Sequence, residues 1–90
     1  MSVKLKIHPL LLQSTGGQEI VDVRGQTVGE CLRDFQTRFP GAGIFYKDKK
    51  DKLRNFVGVF LNHRSIYPQG LDHPVRDGDE LLLLIVVGGG

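Results

Sequence analysis

Residues 3–8 alternate apolar and polar positions: Val3, Leu5 and Ile7 are interleaved with Lys4, Lys6 and His8. A period of two places the apolar set on one face, so the segment predicts a strand with Lys4 and Lys6 on its outer side. Pro9 ends it, and Gln13-Ser14-Thr15-Gly16-Gly17 is turn chemistry. Residues 18–23 predict a second strand, close enough in sequence to form a hairpin with the first. After Arg24-Gly25-Gln26 the period changes. Val28, Cys31, Leu32 and Phe35 recur at i, i+3, i+4 and i+7, and Phe39 extends the stripe by one turn. That spacing predicts an amphipathic helix. Thr27 opens it with Glu30 three residues on, the spacing of a capping box, and Pro40-Gly41 stops it. Glu30, Arg33, Asp34, Gln36 and Arg38 are left for the solvated face.

The segment from Ala42 to Arg54 reads as a loop that Ile44, Phe45 and Tyr46 pin to the core. Residues 55–61 predict a third strand, with Val57, Val59 and Leu61 on one face and Phe56, Gly58 and Phe60 on the other. Asn62-His63-Arg64 is a turn, Ser65-Ile66-Tyr67 is the length of an edge strand, and Pro68-Gln69-Gly70 breaks the chain again. Leu71 and Val75 close one end of the core. Asp77-Gly78-Asp79-Glu80 turns into a last strand over residues 81–87, whose apolar residues on both sides suit a central position. Strand, strand, helix, strand, short strand, strand is an α+β order. It predicts a mixed sheet of four to five strands with one main helix across one face. Parallel pairing of the last strand with the first would make the arrangement a β-grasp. Residues 1–90 read as a single domain with a flexible tail, residues 88–90.

Ninety residues support one core and exclude a core plus a deep enclosed active site. Twelve basic against ten acidic residues give a net charge of +2, without the basic excess of a nucleic-acid binder. The mixed run Lys47-Asp48-Lys49-Lys50-Asp51-Lys52 is a solvated loop rather than a phosphate track. A single cysteine forbids an internal disulfide and permits a reducing compartment. Met1-Ser2-Val3-Lys4 lacks the pattern of a signal peptide, and residues 81–87 are too few to span a bilayer. The expectation is a soluble cytoplasmic chain with neither nucleic acid nor membrane as partner.

No catalytic constellation is visible. His8, His63 and His73 are scattered and lack ligand-like spacing, Cys31 lies on the apolar stripe, and Gly16-Gly17 lacks the lysine of a phosphate loop. No metal and no bound cofactor is expected. What stands out instead is Gly88-Gly89-Gly90, placed straight after the apolar strand. A tail without side chains threads a narrow channel and delivers one chemically distinct group, the α-carboxylate of Gly90, to another protein's active site. Beside it, alternation turns Phe56, Phe60, Leu82 and Leu84 onto the face away from the helix, a partly apolar patch that predicts a docking partner.

Asp77-Gly78-Asp79-Glu80, then a hydrophobic strand, then Gly89-Gly90 resembles the MoaD/ThiS family of ubiquitin-like sulfur carriers over essentially the whole chain. Thr27-Val28-Gly29-Glu30-Cys31-Leu32 is similar to the family's helix opening, and residues 56–62 to its third strand and turn. Thr15-Gly16-Gly17-Gln18, the long loop before Leu53-Arg54-Asn55-Phe56-Val57, and Gly70-Leu71 are most similar to the carrier of a bacterial cysteine pathway. Two departures stand out. Ile85 and Val86 occupy positions where molybdopterin-synthase small subunits often carry a Pro-Pro pair, and Gly88 is an additional glycine. The resemblance implies that an E1-like enzyme uses ATP to adenylate the Gly90 carboxylate. A sulfur donor then displaces AMP, and the resulting thiocarboxylate serves a recipient synthase. Gly88 and Gly89 would thread the enzyme's channel. The chain itself would be a carrier rather than an enzyme. Three other readings stay open, of which two are a molybdopterin synthase small subunit and a ubiquitin-like modifier joined to lysine through Gly90. A plain interaction domain with an incidental glycine tail is the third.

Overall fold

A computed structural model describes residues 2–42, 57–66 and 70–85. Strand β1, Ser2–Ile7, buries Val3, Leu5 and Ile7 and exposes Ser2, Lys4 and Lys6, as its alternation requires. Strand β2, Ile20–Arg24, pairs with it antiparallel, Val3 opposite Val23 and Leu5 opposite Val21. Helix α1, Val28–Arg38, follows and buries Val28, Cys31, Leu32 and Phe35 against the sheet. Strands β3, Val57–Leu61, and β4, Arg64–Ser65, form a hairpin, and β5, Glu80–Ile85, completes the sheet.

The strand order is β2-β1-β5-β3-β4, with β5 parallel to β1 and antiparallel to β3. This is the β-grasp arrangement, and the doubly apolar last strand occupies the centre. One core joins the helix stripe to Val3, Leu5, Val21, Val23, Val59, Leu81 and Leu83. A fully buried leucine such as Leu5 or Leu81 contributes about 1.5–3 kcal/mol of transfer free energy.

The helix start shows why the capping spacing works. Thr27 Oγ1 accepts the Glu30 N–H at 3.1 Å, and Glu30 Oε1 accepts the Gln26 N–H at 2.9 Å. The returning arm thus caps the residue before the N-cap. The Val28 N–H donates to the His73 carbonyl at 2.9 Å, so the chain around residue 73 also caps the helix.

Three segments differ from the pattern-based expectation. Pro9–Thr15 is a 3₁₀ helix rather than a strand end and a turn. It delivers Leu11 to the core and buries Thr15, whose hydroxyl donates to the Leu12 and Gln18 carbonyls. β4 is Arg64–Ser65, so it starts one residue earlier than expected; Ile66 follows with its side chain in the core and its N–H still donating to the Val59 carbonyl at 3.3 Å, and Tyr67 lies outside the described residues. β2 begins at Ile20, two residues later than expected. Asn62 and His63 both have positive φ, 49° and 72°, the geometry of a two-residue type I′ hairpin turn that matches the strands' twist. Val75 is buried and Leu71 packs against the core, as expected.

Candidate functional site: the last strand and the face beside it

Strand β5 is launched by a clasp built from the Asp77-Gly78-Asp79 turn. Gly78 sits at φ +89°, a backbone region that favours glycine, and its N–H donates to the Ser2 carbonyl at 3.0 Å. The Asp77 carboxylate accepts the Ser2 N–H at 2.9 Å. The Lys4 N–H donates to the Asp79 carbonyl at 3.0 Å, which sets the parallel register of β1 and β5. On the other side the Asn62 side chain reaches across from the β3–β4 turn. Its amide donates to Asp79 Oδ1 and its carbonyl accepts the Glu80 N–H, both at 3.0 Å. Asn62 is a residue the sequence left as plain turn; only its left-handed backbone aims it at the clasp.

Asp79 is held ionised by this arrangement. The Asn62 amide and then the Arg76 N–H, at 2.7 Å, lower its pKa below the ordinary 3.8. A pKa lowered by folding adds stability that is fully present above the unfolded value and is lost as pH falls through the folded one. Asp79→Ala is therefore expected to cost about 1 kcal/mol at neutral pH, and the cost is expected to shrink as acidification protonates the folded-state carboxyl. Urea midpoints measured from neutral pH down into the acid range check this. A loss that stays the same across the range would detach the effect from the carboxylate.

From the clasp, β5 runs through the sheet centre to Ile85, which pairs with Val57. Gly88, Gly89 and Gly90 lie outside the described residues, as do Phe56, residues 43–55 and the side chain of Ile85. Only Val86 and Val87 separate Ile85 from Gly88. The tail thus follows the strand that is paired on both sides and whose Leu81 and Leu83 are fully buried.

The face of β5 away from the helix carries Leu82 and Leu84, both half-buried. Phe60 stands directly opposite Leu82 and Gly58 opposite Leu84 in the antiparallel β3–β5 pair, so Phe60, Leu82 and Leu84 share this face. Pairing registers extend the row. Lys6 lies beside Leu82 on β1, and Ile20 lies opposite Lys6 on β2. Ile20 is 54% exposed, and it is the one large apolar side chain among the described residues that is open to this degree. Alternation within one strand found Phe60, Leu82 and Leu84. Lys6 and Ile20 join them only through cross-strand register, which no local pattern carries.

Cys31 takes no part in this face. Burial, followed by the nearby Asp34 carboxylate, pushes its thiol pKa from 9.0 up to about 11, so the reactive thiolate is scarce at neutral pH. Among the described residues no group of three or more His, Cys, Asp or Glu side chains could hold a metal ion. No helix of the described residues is long and apolar enough to cross a membrane. The chemistry on offer is a firmly anchored exit for a chain end, with an apolar and basic row beside it.

Comparison with known proteins identifies relatives of the whole chain. The sequence profile of the ThiS family matches residues 11–90. The sulfur carrier protein CysO of Mycobacterium tuberculosis is 31% identical over 93 residues, spanning 100% of both chains. A chain in the crystal structure of the Amycolatopsis orientalis BexX/CysO complex superposes with a TM-score of 0.88 at 34% identity, covering 98% of this chain and 99% of that one. SAMP1 from Haloferax volcanii, whose name abbreviates small archaeal modifier protein 1, superposes with a TM-score of 0.86 at 25% identity, with 100% of each chain covered.

Proposed function

The chain belongs to the ThiS family, and from that premise we propose that it is a sulfur carrier whose Gly90 carboxylate is converted to a thiocarboxylate. An E1-like enzyme binds ATP and the tail. A carboxylate oxygen of Gly90 attacks the α-phosphate, pyrophosphate leaves, and an acyl-adenylate forms. Hydrosulfide then attacks the carbonyl carbon, the C–O bond to AMP breaks, and loss of the S–H proton leaves the thiocarboxylate. A carboxylate is a poor acyl donor, and adenylation turns its oxygen into a good leaving group. The carrier supplies position rather than catalysis: an unbranched tail places one carbon in line, an orientation effect. A side chain at Gly89 or Gly90 would crowd the channel. The observation that carries this reading is the family match that runs through Gly90, together with end-to-end similarity to a sulfur carrier. A cysteine-type pathway is favoured over a molybdopterin synthase for the recipient, because the similarity is to CysO at 31% identity.

SAMP1 supports a second reading, in which the adenylated Gly90 forms an amide with a lysine of another protein. The chain purified from its own host separates the two. Sulfur carriage predicts an intact mass in which one oxygen has been exchanged for sulfur. Conjugation predicts slower-migrating species that survive reduction. A chain carrying neither change would count against both.

The Phe60–Leu82–Leu84 face is the surface we assign to the activating or recipient enzyme, with Phe56 as a further candidate. Phe60 faces away from the helix, so truncating it opens no cavity beneath α1. Phe60→Ala is expected to leave the melting temperature nearly unchanged and to weaken binding to the activating enzyme by about 1–3 kcal/mol, as loss of an aromatic anchor does. Calorimetric titration beside a thermal melt decides it. A large fall in melting temperature with affinity retained would make Phe60 a structural residue.

A further inference from the structure

The outer edge of β2 is closed by side chains of α1. In the β1–β2 pair, Val3 opposes Val23 and Leu5 opposes Val21, and the Ile7 N–H donates to the Glu19 carbonyl at 3.0 Å. The odd-numbered residues of this strand therefore turn their backbone groups toward β1. Those of Ile20, Asp22 and Arg24 turn outward. β2 is the terminal strand of the sheet, so this row is a template for another strand. Two of its groups are already taken. The Arg24 N–H donates to Asp34 Oδ2 at 3.0 Å, and the Asp22 carbonyl accepts a hydrogen bond from Arg38 Nη2. Asp34 and Arg38 stand one helical turn apart on α1 and pair with each other at 3.4 Å. Two side chains on the helix's polar face thus bridge to two adjacent backbone groups of the strand edge.

We infer that the Asp34–Arg38 pair is an edge cap that keeps β2 from adding the β2 strand of a second copy. The second copy is the natural occupant, because antiparallel pairing of β2 with itself about a twofold axis at Asp22 is self-complementary and sets Ile20 of one chain opposite Arg24 of the other. The opposite sheet edge is blunted differently: β4 is only two residues long. This inference does not depend on sulfur chemistry.

Light scattering after size exclusion tests it on the full chain with Asp34→Ala and Arg38→Ala combined. The double variant is expected to reach twice the mass of the 10.0 kDa parent at high concentration, with its circular dichroism spectrum unchanged. Adding Asp22→Pro removes the outward N–H at the centre of the new pairing, a position an edge strand tolerates, and should restore the parent's mass. A folded double variant that keeps the parent's mass, or a dimer that survives Asp22→Pro, overturns the inference. Amide exchange on the unmutated chain gives a test independent of variant folding. The capped Arg24 N–H should exchange at least about tenfold more slowly than the outward Asp22 N–H on the same edge. Equal rates also overturn it.

Discussion

Removing Gly89 and Gly90 is expected to abolish ATP–pyrophosphate exchange by the activating enzyme while leaving the fold as it is. The two parts have separate physical origins. Exchange requires the terminal carboxylate to reach the α-phosphate, and a chain two residues shorter stops roughly 7 Å away, since an extended residue spans about 3.3–3.6 Å. No compensating slide of the strand is available. β5 is fixed in register by β1 and β3 on its two sides and by the Asp79–Asn62 clasp at its start. A one-residue slip would also carry Leu81 and Leu83 out of the core. The fold is expected to survive because the core cluster ends with Leu83. Exchange assays and denaturant melts of the truncated chain decide the point. Retained exchange would remove Gly90 from the chemistry.

Phe35→Ala is expected to give the largest loss of stability, about 3–5 kcal/mol, in the range for buried aromatic truncations. Phe35 lies in the third turn of α1 and is fully buried, and its ring meets that of Phe39 with centroids 5.4 Å apart. The truncation leaves a void at the centre of the helix–sheet interface, with neighbours such as Leu32 that are themselves fully packed. Domains of this size are stable by only about 5–15 kcal/mol, so about a fifth of the total or more is at stake. Urea midpoints measure the loss, and a midpoint within experimental error of the parent would mean that the helix does not sit on the sheet as described. Exchange activity should persist below the variant's melting temperature, because Phe35 is buried on the core face of α1 and acts by holding the scaffold.

Local patterns carried much of this structure. The alternation of Val3, Leu5 and Ile7, the Val28–Cys31–Leu32–Phe35 stripe and the Thr27–Glu30 spacing each report a geometry complete within a few residues. Gly78 is legible for the same reason: a turn into a strand asks for positive φ at one position. What escaped the sequence depends on register between distant segments. Lys6 and Ile20 join Phe60 and Leu82 in one row across four strands, yet each of these two alone looks like an ordinary surface or strand residue. Asn62 joins the clasp across 17 positions of sequence. Asp34 and Arg38 read as a solvated helix face, and their second partners are backbone atoms of a strand closed before the helix begins. The Pro9–Thr15 turn escaped because a single buried leucine in a short 3₁₀ segment sets up no period.

The central claim is that sulfur is carried on Gly90 and nowhere else in the chain. Tandem mass spectrometry of the full chain, after reaction with the activating enzyme, ATP and sulfide and trapping with an alkylating agent, locates it. The added sulfur and its alkyl label are expected on the peptide ending in Gly90, with Cys31 unlabelled in its buried position. Sulfur found as a persulfide on Cys31, or a terminal peptide that keeps both carboxylate oxygens after ATP is consumed, would contradict it.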